Sequence, residues 1–159
     1  MKISEGDLDD PRIVALLNVH VMTAAAQTGP CSAHALNVDG LRFPGIEFWA
    51  AWDDKDLLGF AALKELSPDH GEIKSMHVAQ SRRRSGAGRA LLDYLIERAR
   101  ERGMRRLSLE TGAWDYFRPA QALYASRGFV ECLPFGDYRP DPNSVFMTVS
   151  LSAPLREPA

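Results

Sequence analysis

The run Arg82-Arg83-Arg84-Ser85-Gly86-Ala87-Gly88-Arg89 concentrates the residue types that hold an anion. It follows an apolar stretch ending at Val78 and opens a segment in which Ala90, Leu91, Leu92, Leu95, Ile96 and Ala99 recur at helical spacing. A helix start leaves backbone N–H groups without partners and carries the positive end of the helix dipole, so it receives phosphate readily. Gly86 and Gly88 lack a Cβ and let the backbone approach a bulky anion, while Arg83, Arg84 and Arg89 add charge-assisted donors. A diphosphate fits this set. Two other phosphate motifs do not: a P-loop needs a Lys followed by Ser or Thr, and a dinucleotide fingerprint needs a third glycine where Leu91 stands and an acidic ribose partner. The remaining alternative is a solvated arginine run ahead of an ordinary helix start.

That turn needs a strand before it and a helix after it, and the chain supplies both. Val14, Leu17, Val21 and Met22 predict an N-terminal helix from Pro11 to about Gln27, closed by Gly29-Pro30, and Ala33 to Val38 suggests a short second one. Glu47 to Trp52 and Leu57 to Leu66 read as strands joined by the polar turn Asp53-Asp54-Lys55-Asp56. Beyond Ser67-Pro68-Asp69-His70-Gly71, Glu72 to Val78 completes an antiparallel meander. The helix after the arginine turn stops at Gly103, Arg105 to Glu110 is the next strand, and Pro119 to Arg127 is a second strong helix with Gly128 past its end. Phe129 to Leu133 and Val145 to Leu151 are closing strands. The order predicts a mixed α/β (α+β) sheet with helices packed on it, one domain over residues 1–151, and a frayed tail over residues 152–159.

At 159 residues the chain has the length of one domain, and 45% hydrophobic residues suffice for a core. Its 19 basic and 21 acidic side chains leave a net charge of -2, which gives no whole-molecule attraction to nucleic acid or to an anionic membrane. Cys31 and Cys132 stand in no metal-ligand spacing, so no metal site is expected, and two scattered thiols read as reduced. The acidic start has no apolar signal core, and no stretch approaches the length of a membrane span. A cytoplasmic protein is the expectation.

Arg83-Arg84-Ser85-Gly86-Ala87-Gly88 meets the (Q/R)xxGx(G/A) signature, and Ala120 to Phe129 meets the AxxLYxxxGF pattern, of the GNAT superfamily of N-acetyltransferases, which the chain therefore resembles. His70 to Met76, Leu107 to Gly112 and Pro134 to Met147 are similar to one branch of bacterial acetyltransferases of undefined substrate. The resemblance implies a GNAT fold, a central mixed sheet of about seven strands that splays after the Glu72 to Val78 strand. Acetyl-CoA would lie in the opening. Met76, His77 and Val78 would form the cofactor stretch, with backbone contacts from Met76 and Val78, and Arg83, Arg84, Ser85, Gly86, Ala87, Gly88 and Arg89 would hold the pyrophosphate. His77 alternates to the opposite face, so its side chain reads as structural.

The resemblance also implies the chemistry: transfer of acetyl from acetyl-CoA to a primary amine of a small molecule or amino-acid-like acceptor by direct attack in a ternary complex. Tyr124 would act as acid or donor at the sulfur, and Glu72 as base, with Glu110 its competitor. Against these stand a core tyrosine and a solvated carboxylate paired with Lys74 or an arginine. Many members carry Asn where this chain has Phe117, which alters one pantetheine contact. Acceptor contacts would come from His34, Glu110 and Tyr138, with Ser32, Asp137 and Asp141, or Arg42 and Arg118 for a substrate carboxylate, as further candidates. A pocket closed by Trp49, Trp114 and Tyr138 would favour a small amine over a peptide. Protein or peptide N-acetylation and a catalytically silent acyl-CoA-binding module are the alternatives, and a homodimer is compatible with the family.

Overall fold

Asp10 caps the first helix, its Oδ1 accepting the Arg12 N–H at 2.9 Å, and Pro11 takes a first-turn position where no N–H is needed. In the computed structural model, which describes residues 1–28 and 34–151, this helix, α1, spans Pro11–Thr28. Its buried stripe runs through Ile13 and Leu17, whereas Met22, expected on that stripe, is 71% exposed. The second helix, α2, is Val38–Leu41 and begins later than predicted, because Asn37 caps it by accepting the Gly40 N–H. Ala33 and the predicted tail lie outside the described residues.

Seven strands form one sheet: β1 Lys2–Glu5, β2 Ile46–Asp53, β3 Asp56–Ser67, β4 His70–Val78, β5 Arg106–Gly112, β6 Val130–Glu131 and β7 Ser144–Ser150. Their order is β1-β2-β3-β4-β5-β7-β6. Every pairing is antiparallel except β4 with β5. The sequence reading missed β1, a short, half-polar edge strand with too few residues to show a period of two. Helix α3, Ala87–Glu101, buries Leu91, Leu92 and Leu95 on one face of the sheet, beside α4, Arg118–Ser126. On the other face Ile13, Leu17 and Leu41 pack against Phe48 and Phe60. No helix among the described residues is long and apolar enough to cross a membrane.

The sheet opens at one place. The β4–β5 ladder ends at Ile73↔Leu109, while β3 stays paired with β4 as far as Val78. A register shift between Phe60 and Ala62 of β3 marks a bulge in β4, where Ser75 adopts φ +55. The extra residue reverses the alternation, so Met76 and Val78 pack toward α3 and His77 turns toward α1. Beyond Ile73, therefore, β4 has a free edge facing a gap, and the start of α3 sits at the end of that gap.

Candidate active site

The turn between β4 and α3 is built to leave donors free. Gly86 caps α3 at φ +88 with no side-chain cap, and a Cβ there would meet nothing within 4 Å. Arg84 is also left-handed, at φ +66. The first intrahelical bond runs from the Ala90 N–H to the Gly86 carbonyl at 3.0 Å, so the N–H groups just before it have no intrahelical carbonyl. Ser85 Oγ accepts from Ala87 N–H at 3.4 Å. Gly88 faces the cleft wall, where a Cβ would lie in ordinary contact, 3.4 Å from Leu123 and Val78. Arg82 is tied outward to Asp56 at 2.6 Å, whereas Arg83, Arg84 and Arg89 line the gap. Arg83 spans its mouth, donating to the Tyr116 hydroxyl at 3.2 Å.

The gap is a cleft of about 590 Å³ between β4 and β5, walled by Met76 and Val78 on one side and Leu123 and Tyr124 on the other. The Phe117 ring occupies space that a glycine at 112 leaves open: a Cβ on Gly112 would lie 2.1 Å from it. Tyr124 is buried, and burial first, then the charge of Glu110, pushes its hydroxyl up to about 12. It is a donor throughout the neutral range. Ser75, at the bulge, buries an Oγ with no hydrogen-bond partner among the described residues. A left-handed non-glycine and an unsatisfied hydroxyl are two costs at one residue, and such costs gather at sites under functional constraint.

At the far end the walls turn acidic. Glu72 and Lys74 share a strand face, and Glu72 is only 2% exposed, which rules out a solvated carboxylate. Tyr138 donates to Glu72 Oε2 at 2.6 Å, and Lys74 Nζ lies 3.5 Å from the same oxygen and donates to Tyr138 at 2.9 Å. His34 packs edge-on against Tyr138 and accepts from Lys74 through its carbonyl at 3.4 Å. Burial and the hydrogen-bonded Glu72 push the Tyr138 hydroxyl far upward. Glu110 accepts from Ser144 Oγ at 2.8 Å. Burial raises the Glu110 carboxyl above the usual range, opposed by Ser144, His34 and Lys74 and reinforced by the Glu72 charge.

His77, read as structural, does face α1. Its Nδ1 meets His20 Nδ1 at 3.1 Å and its ring stacks on Phe60. Burial holds the pair neutral, His20 down to about 3 with help from the His77 charge, and His77 down to about 4 with help from Arg83.

The structure thus brings Glu72, Met76, His77, Val78, Arg83, Arg84, Gly86, Gly88, Arg89, Glu110, Tyr124, Tyr138 and His34 around one cleft. Other candidates fall elsewhere. Arg42 pairs with Asp9 and Arg118 with Asp115. Trp49 is buried against Tyr94, and Trp114 is exposed and bonded to Asn143. Asp137 is exposed, Asp141 accepts the Asn143 N–H within its turn, and Ser32 lies outside the described residues. His20 and Tyr116 were missed, and Lys74 entered only as a surface partner. The alternation of Glu72 and Lys74 along one strand was the available signal for the last. No group of three possible metal ligands occurs among the described residues.

Residues 16–129 match the acetyltransferase (GNAT) family. The chain is 48% identical over 151 residues to the uncharacterized N-acetyltransferase YsnE of Bacillus subtilis, covering 95% of this chain and 100% of that protein. It is 41% identical over 149 residues to the uncharacterized N-acetyltransferase YedL of Escherichia coli, covering 94% of each. Among solved structures, a Klebsiella pneumoniae protein provisionally described as an acyl-CoA N-acyltransferase superimposes with a TM-score of 0.76 at 27% identity, covering 94% of this chain and 97% of the other.

Proposed function

Because the chain belongs to the GNAT acetyltransferase family, we propose that it takes an acetyl group from acetyl-CoA and passes it to a primary amine by direct attack in a ternary complex. The observation that carries this is the cleft itself: a donor-rich helix start, a free strand edge, a buried phenol and a carboxylate of raised pKa all face one gap. The residues fit the cofactor. Gly86 offers open space above N–H groups that have no intrahelical carbonyl, Arg83, Arg84 and Arg89 supply charge, and Met76 and Val78 border the channel for the pantetheine arm.

When bound, acetyl-CoA supplies an acetyl thioester whose thiol is the leaving group. Glu110 accepts a proton from the incoming ammonium, since a carboxyl raised by burial is better matched to that exchange near neutrality. Glu72, already engaged by Tyr138 and Lys74, holds the acceptor end in shape and adds negative potential. The amine nitrogen then attacks the carbonyl carbon, and as the C–S bond breaks the second proton shed by the nitrogen passes to the departing thiolate, leaving the acetyl amide and the free thiol. A backbone N–H on the free edge of β4 stabilises the carbonyl oxygen, and the Tyr124 hydroxyl donates to the departing sulfur. Tyr138, folded over Glu72, narrows the acceptor end, which supports a small amine over an extended peptide. Thiol release from acetyl-CoA that depends on added amine tests the reading, and its absence for every amine, with CoA still bound, would favour a silent acyl-CoA-binding module.

A further inference from the structure

The charges lining the cleft are sorted by end. Arg83, Arg84 and Arg89 stand at the start of α3, and Glu72 and Glu110 stand at the acceptor end. One cation accompanies them, and it is engaged: Lys74 Nζ donates to Tyr138 at 2.9 Å and to the His34 carbonyl at 3.4 Å and is ion-paired with Glu72 at 3.5 Å. Arg42 and Arg118, the side chains that could have held a substrate carboxylate, are paired with Asp9 and Asp115 away from the cleft. Residues 29–33, which precede His34, contain no charged side chain.

We propose that the acceptor is a cationic amine with no carboxylate beside its amino group, received between Glu72 and Glu110. This rests on the acetyltransferase reading and narrows it, since amino acids carry the charge that this end repels. An ammonium entering there relieves the repulsion between the two carboxylates and is delivered to the proton acceptor, Glu110. An α-carboxylate on the same carbon would face both acidic groups with no free cation at that end of the cleft among the described residues to meet it, and a buried unpaired charge is heavily penalised. The sorting of charge also keeps the two ligands apart, with the polyanionic end of the cofactor drawn to the arginines and the cationic acceptor to the glutamates.

Calorimetric titration with three matched pairs tests this: agmatine against arginine, cadaverine against lysine, and tyramine against tyrosine. Each is titrated into the free and the CoA-saturated protein. In at least one pair the amine should bind at least about tenfold more tightly than its amino acid, a difference of about 1.4 kcal/mol. Glu110→Gln should shrink that ratio to under about threefold while leaving CoA affinity within about twofold. Equal or tighter binding of the amino acid in every pair, or binding by none of the six, would overturn the proposal, and the wild-type comparison decides even where the variant fails to fold. Loss of CoA binding would contradict the acetyltransferase reading instead, and the titrations on free protein keep the two failures distinct.

Discussion

The hydroxyl of Tyr124 sits at about 12 because it is buried and faces the Glu110 charge, whereas a free thiol titrates near about 8.5. Full proton transfer from this phenol to a thiolate would run uphill by roughly 5 kcal/mol, at about 1.4 kcal/mol per unit. In the proposed reaction Tyr124 is therefore a hydrogen-bond donor to sulfur more than a source of protons. Tyr124→Phe should lower kcat about 10²-fold with CoA affinity changed less than about twofold, read by steady-state kinetics beside calorimetry. Glu110 works in the opposite sense. Its raised carboxyl must be ionised to accept a proton, so the rate should climb as pH rises through its folded pKa and then level off. Glu110→Gln should remove that limb and cost about 10²-fold or more. Tyr124 was legible through the AxxLYxxxGF pattern, and Glu110 through its place at the end of the next strand, where it stood as competitor to Glu72. The Glu72–Tyr138–Lys74 contact was not, since Tyr138 comes from a loop 66 residues away whose path no local pattern fixes.

Periodicity locates strand β4, but the bulge at Ser75 that turns Met76 and Val78 toward α3 leaves no mark in a two-residue alternation. Ser75→Ala removes a buried hydroxyl that has no partner among the described residues. It should raise stability by about 1 kcal/mol, seen as an increase of roughly 2–4 °C in Tm. The turn to α3 was far more legible, because two glycines before an amphipathic run state its geometry directly. Gly86 and Gly88 nonetheless differ in kind. Gly86 is needed for φ +88 above open space, whereas a Cβ on Gly88 would sit in ordinary van der Waals contact with Leu123 and Val78. Gly86→Glu is therefore the cleaner probe: it should cost about 1–2 kcal/mol of stability and weaken CoA binding at least about tenfold by bringing a negative charge to the phosphate site. A Gly86→Glu protein with unchanged CoA affinity would contradict the placement of the pyrophosphate.

Across the whole molecule, two apolar layers clamp one sheet, and the His20–His77 contact joins α1 to β4 beneath the cleft. Both imidazoles are depressed in the folded state, to about 3 and about 4, against about 6.5 unfolded. Below pH 6.5 the unfolded chain takes up protons that the folded pair refuses, so stability is complete above about pH 6.5 and falls as pH drops toward about 4. A loss of roughly 5 kcal/mol by pH 4.5 is expected from the pair, a little under 3 kcal/mol from each imidazole. The His20→Gln, His77→Gln double variant should show a flatter Tm profile over that range. An equal slope in the variant would place the loss in the carboxylates. The layered α+β order was readable from hydrophobic pattern, but the histidine pair joins positions 57 apart and had no signal in either segment.

Amine-dependent release of free thiol from acetyl-CoA, followed by mass identification of the acetylated product, tests the central claim most directly. Thiol release that rises and saturates with amine, yields the acetyl amide, and drops about 10²-fold in Tyr124→Phe is the predicted result. A protein that binds CoA yet releases no thiol above background with any cationic amine would contradict it.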